Sequence, residues 1–261
     1  MKVYNYLATA LFAIALISCD NEDDTANELT GEGTARIEFD NSYAGSQLLL
    51  QTAFYDANGT EKIAIDTLKY IVSNIRLEDA VGNVFVVPEQ EALNVIDLSD
   101  DASRFVTIVN VPAADYVKIH FGLGIDQEKY LQGVEGQGDF LTTATEEGML
   151  WSWQAGYKFI RFEGRFTGEN TTEETPFAIH MGSHGTALDN YKEVSLDLPV
   201  SAKVRTDITP EIHLVADISQ LLSGTGKLYL EEQSQIHVDP EKSPMVATNA
   251  AAMFTVDHIH N

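Results

Sequence analysis

Seven histidines, two tryptophans and a single cysteine are the residues of this chain best suited to ligation or covalent chemistry. His258 and His260 stand two apart in Phe254-Thr255-Val256-Asp257-His258-Ile259-His260. On a strand, positions i and i+2 share a face, so both imidazoles can converge on one ion. Their apolar flanks favour an ordered strand over the solvated, frayed end that chain termini often form. His180 lies in Phe177-Ala178-Ile179-His180-Met181-Gly182. There Phe177, Ile179 and Met181 form one apolar face and His180 takes the other. His184 follows in a Gly-flanked loop, where it can swing to the same ion or do nothing. His237 ends a strand and could meet His258 across the fold. These five histidines are the candidate metal ligands. His120 alternates against Val117, Ile119 and Phe121 and reads as solvent-facing. His213 shares a face with Glu211 and Asp217; it reads as solvated, or as a weak surface metal site. Met149, Met181, Met245 and Met253 are possible thioether donors.

Trp151 and Trp153 are also two residues apart and would share a strand face. Burial preference makes them core anchors. An exposed pair would instead form an aromatic platform for a carbohydrate.

The start of the sequence bears on compartment. Lys2 precedes an apolar run, Leu7 to Ile17, too short to span a bilayer as a stop-transfer helix. Leu16-Ile17-Ser18-Cys19 then leads into Asp20-Asn21-Glu22-Asp23-Asp24. A small residue and a cysteine closing an apolar run resemble a bacterial lipobox. Residues 1–18 are therefore expected to be a cleaved signal peptide, with Cys19 lipidated. The acidic run after Cys19 resembles the export signal of Bacteroidota surface lipoproteins. The expected location is the outer membrane, facing periplasm or exterior, held through the lipid alone. Residues 19–34 are acidic, lack apolar periodicity and read as a flexible tether.

The chain holds 16 basic and 40 acidic residues, a formal net charge of −24. Such a surface repels phosphate backbones and makes nucleic-acid binding unfavourable. It raises the local concentration of cations, metal ions included. No G-x-S-x-G, G-x-x-x-x-G-K-[ST], H-E-x-x-H or C-x-x-C is present, so a non-catalytic role is expected.

From residue 35 to 261 the pattern is one of strands. Ala35–Phe39, Gln47–Tyr55, Ile63–Leu77, Val84–Val87, Arg104–Val111 and Tyr116–Gly122 come first. Phe177–Met181, Glu193–Val204, Glu211–Asp217, Lys227–Val238 and Met253–His260 follow. Ile63–Leu77 could be two strands broken near Ser73-Asn74. Short strands with turns such as Asn58-Gly59 between them predict a single all-β domain, an antiparallel β-sandwich. Helix is sparse: single turns at Gln127–Leu131 and Ile218–Leu222, and the best candidate at Pro244–Ala252.

Four ordered segments carry a resemblance. They are I-V-S-N-I-R-L (71–77), F-G-L-G-I-D (121–126), G-M-L-W-S-W-Q-A-G-Y-K-F-I-R-F-E-G (148–164) and F-A-I-H-M-G (177–182). Together they resemble the MbnP-like family, exported copper-binding proteins named for methanobactin operons. The resemblance extends from about Ala35 to the C-terminus. It implies that copper is held by histidines, His180 among them, and by a tryptophan oxidised to kynurenine. Trp151 or Trp153 is then the modifiable position, and a dihaem peroxidase-like enzyme the modifying partner. The residues alone specify a histidine-rich metal site. Copper follows from the resemblance and from its high place in the affinity order, with zinc as the alternative. The expected function is uptake, storage or delivery of the ion; the carbohydrate platform is the competing reading.

Overall fold

Alternating apolar and polar positions turn directly into strands. In Glu211–Asp217, Ile212, Leu214 and Ala216 are buried while the residues between them face outward. The structure, a computed structural model, describes residues 29–152 and 156–261. The expected signal peptide, Cys19 and Trp153 lie outside the described residues.

Sixteen strands are described: β1 (Glu32–Tyr43), β2 (Ser46–Gln47), β3 (Tyr55–Ala57), β4 (Glu61–Asp79), β5 (Val84–Val86), β6 (Asn94–Asp97), β7 (Phe105–Pro112) and β8 (Ala114–Leu123). The second half supplies β9 (Leu150–Ser152), β10 (Gly156–Tyr157), β11 (Ile160–Thr167), β12 (Thr175–Met181), β13 (Lys192–Val204), β14 (Glu211–Asp217), β15 (Gln235–Ile236) and β16 (Phe254–His260). One sheet runs β16-β14-β1-β2, with β7 also paired to β1. The larger runs β13-β8-β4-β11-β12-β15, and β3, β5 and β6 add to β4. A small antiparallel pair, β9 and β10, carries Trp151.

The two main sheets form a sandwich. Phe39 and Phe254 of the first meet Tyr70 and Phe121 of the second, with ring centroids 5.0–6.4 Å apart. The all-β sandwich is thus the observed fold. It is not purely antiparallel: β1 pairs with β14, and β12 with β15, in parallel. Parallel partners need a long crossover between them, and both pairs join strands far apart in the chain.

Two of the recurring segments build the scaffold. Ile63–Leu77 is one strand rather than two, and it absorbs Asn74 at φ +49° through a shift of register with β8. Asn is among the residues that tolerate this region. Its amide donates to Asp126 Oδ2 (2.7 Å) and to Tyr191 Oη (2.9 Å). Asp126 Oδ1 in turn accepts from Lys129 N and caps the helix Gln127–Leu131. Gly124 has φ +97°, and a Cβ there would strike the Phe159 ring. I-V-S-N and G-L-G-I-D therefore form a joint between strand and helix.

Three expectations are corrected. Gln47–Tyr55 is mostly turn, with strand only at its two ends. Lys227–Val238 keeps strand only at Gln235–Ile236. A buried carboxylate explains the second case: Glu61 accepts the backbone N–H groups of Leu230 (2.9 Å) and Glu231 (2.8 Å), replacing a strand partner. β1 begins at Glu32, inside the expected tether. The helices at Gln127–Leu131, Gln220–Ser223 and Lys242–Ala251 fall near their expected places, but Glu89–Ala92, Gly133–Gly136 and Phe140–Glu146 add three more, with a 3-10 turn at Asp101–Arg104. Among the described residues no helix is long and apolar enough to cross a membrane.

The larger sheet contains a buried ion pair that links stability to pH. Lys69 Nζ lies 2.8 Å from Asp97 Oδ2 and 2.7 Å from Glu147 Oε2. Burial alone would raise the Asp97 pKa. Hydrogen bonds from Lys69 and Ser99 outweigh it and hold the carboxyl below its ordinary value of 3.8. A carboxyl with a depressed folded-state pKa stabilises above its unfolded value and loses that stabilisation as pH falls through the folded one. Asp97→Asn should therefore cost about 1–3 kcal/mol at pH 7 and flatten the loss of stability below its ordinary pKa. Urea unfolding across pH checks this; parallel acid limbs in both proteins would refute it.

Candidate metal centres

Outward-facing positions on neighbouring strands assemble two groups of histidine and carboxylate, one on each main sheet. On the larger sheet, Arg161 and Glu163 alternate with buried Ile160 and Phe162 along β11. Arg161 pairs in register with His180 on β12. His180 points away from buried Phe177, Ile179 and Met181, as its alternation required. Ala178 and Ile179 pair with Gln235 and Ile236 of β15, so the next step sets His237 beside His180.

The two imidazoles face each other through their Nδ1 atoms, 3.1 Å apart, with ring centroids at 4.7 Å. His180 Nε2 lies 2.6 Å from Glu163 Oε1. Glu163 also accepts from Arg161 Nε (2.8 Å) and Nη2 (2.9 Å). Burial would raise the Glu163 pKa, but the hydrogen bonds from Arg161 and His180 take it down to about 2. Glu163 is thus a fixed anion that accepts the His180 Nε2 proton and leaves the Nδ1 lone pair for a ligand. Burial, with the charges of Lys158 and His237, lowers the His180 pKa against the opposing pull of Glu163. Neutral imidazole is the form that ligates. Tetrahedral donors on bonds of 2.0–2.1 Å stand about 3.3 Å apart, close to the observed gap.

The β9–β10 pair lies against the same strand. A Cβ on Gly182, two residues past His180, would overlap the Tyr157 carbonyl and sit 3.3 Å from Trp151 Cζ3. Only glycine lets the pair approach this closely, which accounts for the Gly of H-M-G. Trp151 is half-buried there.

The second group lies on the smaller sheet. Glu38, His213 and His258 stand in register on β1, β14 and β16. Arg36, Glu211 and His260 form the next row of the same face. His258 Nε2 and His260 Nε2 are 3.0 Å apart. His213 stacks on His258 with centroids at 4.1 Å and meets His260 edge-on at 5.0 Å. Ligating atoms of the three histidines lie within 4.8 Å of one another, as do those of Glu38, Glu211 and His213.

Three candidates take places other than those expected. His237 joins His180 rather than His258, because β15 docks on β12. His184 is exposed and only its backbone bridges to Leu188, so it reaches neither group. His213 shares the Glu211 face, as its alternation indicated, but it packs on the C-terminal histidines instead of standing in solvent. His120 pairs with Glu78 at 3.0 Å, apart from the other histidines. Met149, Met181 and Met253 are buried in the core, and Met245 packs against it. Glu163 was not singled out as a site residue, although it supplies the E of the E-G motif.

The MbnP family model matches residues 32–240. The chain belongs to the MbnP family. Its fold is similar to that of MbnP from Methylosinus trichosporium, with a TM-score of 0.51 and 15% identity over 83% of this chain and 87% of that one. A search of curated proteins finds no match. The MbnP match includes Trp151, Glu163, His180, His213 and His237, and ends before His258 and His260. Family membership and the paired histidine groups together indicate a metal-related role.

Proposed function

We propose that this protein is an exported, lipid-anchored copper-binding protein that takes up, stores or delivers the ion without turning over a substrate. Its primary site is the His180–His237 pair. The observation that carries this reading is the facing of two Nδ1 atoms at 3.1 Å, with Glu163 holding the far nitrogen of His180. A metal-bound histidine characteristically passes its other N–H to such a carboxylate. The proximity of Trp151 to Gly182 supports a further donor from that segment. In this reading Trp151 is the position oxidised to kynurenine by a dihaem peroxidase-like partner in the periplasm or at the cell surface. Lipidation at Cys19 supplies the membrane attachment. The net charge of −24 favours cation capture.

The test is a copper titration by equilibrium dialysis with metal analysis, joined to intact mass of protein from the native membrane. The wild type is expected to bind copper stoichiometrically. His180→Ala/His237→Ala should weaken binding more than about 100-fold, and Glu163→Gln about 10–100-fold. The mass change of a tryptophan-to-kynurenine conversion would accompany native loading. In protein whose His258 and His260 are also replaced, equal copper affinity with and without His180→Ala/His237→Ala would sink the reading.

A further inference from the structure

The sheet that lacks the β9–β10 pair holds a histidine group with the features of a site in its own right. We propose that His213, His258 and His260, completed by Glu211, form a second metal site for a divalent ion of the zinc class. The inference is independent of copper at His180 and His237.

Two of the three imidazoles have a carboxylate on Nδ1. Asp257 Oδ2 lies 2.7 Å from His258 Nδ1, so that nitrogen carries the proton and Nε2 offers its lone pair. That lone pair points at His260 Nε2, 3.0 Å away. Glu38 Oε2 lies 2.6 Å from His213 Nδ1 and fixes the same tautomer. His213 Nε2 is then the free nitrogen. It is buried and makes no hydrogen bond, although Glu211 Oε1 stands 2.9 Å away, because their alignment is wrong for one. A ring set between two carboxylates, with its Nε2 buried and lacking an aligned partner, is a place where a cation relieves both the unpaired nitrogen and the crowded negative charge.

The donor set is therefore three Nε2 atoms and one carboxylate oxygen. Three imidazoles and an oxygen suit tetrahedral zinc. Arg36 Nε holds the other Glu211 oxygen at 3.1 Å and leaves Oε1 for the ion. His213 and His258 are stacked, with 15° between their planes. Convergence of the three Nε2 atoms on one ion therefore requires the His213 ring to turn about its Cβ–Cγ bond.

The strand that carries the pair is anchored. Asn261 Oδ1 accepts from Lys203 N (2.6 Å) and Asn261 Nδ2 donates to Ser201 O (3.0 Å), tying the end of β16 to β13. His258 and His260 thus belong to ordered strand rather than a frayed terminus. His260 is exposed, so an ion can enter from solvent.

The test uses Zn2+ with the His180→Ala/His237→Ala protein, in which the other group is disabled. Equilibrium dialysis should give one Zn2+ per chain, and Zn2+ should raise the Tm. Adding His258→Ala/His260→Ala should weaken binding more than about 100-fold and abolish the Tm shift, with the far-UV spectrum unchanged. His213→Gln, which keeps the strand pairing, should weaken it at least about 10-fold. The proposal is overturned if the His180→Ala/His237→Ala protein binds no Zn2+, or if binding survives loss of His258 and His260. The copper reading fails separately, through undiminished copper binding by His180→Ala/His237→Ala when His258 and His260 are also replaced.

Discussion

Gly182→Ala is expected to destabilise the protein by about 3 kcal/mol and to lower copper affinity at the same time. The new methyl would overlap the Tyr157 carbonyl oxygen, and backbone cannot rotate aside as a side chain can. It would also crowd Trp151 Cζ3. Relief requires the β9–β10 pair to lift from β12. That motion moves Trp151 away from the strand that carries His180. Phe159 N donates to Met181 O at 2.6 Å beside this contact, so the strain reaches the β11–β12 ladder as well. Gly185→Ala provides the comparison. Gly185 has φ +58° but nothing within 4 Å of an added Cβ, so the cost there is conformational, about 1–2 kcal/mol. Urea unfolding and tryptophan emission in a Trp153→Phe background separate the two effects. Gly182→Ala should change the Trp151 emission and Gly185→Ala should not. Wild-type stability and emission in Gly182→Ala would refute the close-approach account.

Gly182 shows what was legible in the sequence and what was not. Local alternation placed His180 opposite Phe177, Ile179 and Met181, and set His213 on the Glu211 side of its strand; both faces are observed. A period of two is a property of a single strand, so it can be read without knowing the neighbours. Which strand lies alongside is a tertiary matter. His213 meets His258 only because β14 pairs with β16, and His237 meets His180 only because β15 docks parallel to β12. Nothing in the local pattern of Ile236-His237-Val238 distinguishes one neighbour from another. Lys227–Val238 misled for a related reason. Leu228, Leu230 and Ile236 are buried, but the Glu61 carboxylate takes the backbone donors a strand would have used. Buried loops with side-chain partners and strands share composition. The overall architecture tolerates such errors, because enough apolar faces remain to close a sandwich.

The largest expected loss in the smaller sheet comes from Phe254→Ala, at about 3–5 kcal/mol. Phe254 opens β16 and meets Phe39, Tyr70 and Phe121 edge-on, with centroids at 6.4, 5.8 and 5.0 Å. Edge-to-face contacts of this kind add to the area buried. Further along β16, Val256 and Ile259 are only half-buried. Phe254 is therefore the principal apolar anchor of the strand. Its removal leaves a cavity between the sheets and weakens the hold of β14 on β16. His258 and His260 ride on that strand. A ligand that needs the docked strand binds with an affinity reduced by the fraction docked. Zn2+ affinity in a His180→Ala/His237→Ala background should thus fall at least about tenfold in Phe254→Ala. The reciprocal effect must also hold: an ion that binds only the folded form raises its stability. Saturating Zn2+ should accordingly recover part of the lost stability, and hydrogen exchange should show protection returning along residues 254–260. Destabilisation below about 1 kcal/mol would contradict the anchoring role of Phe254. Lost stability with unchanged Zn2+ affinity would show instead that β16 stays docked until the whole sandwich unfolds.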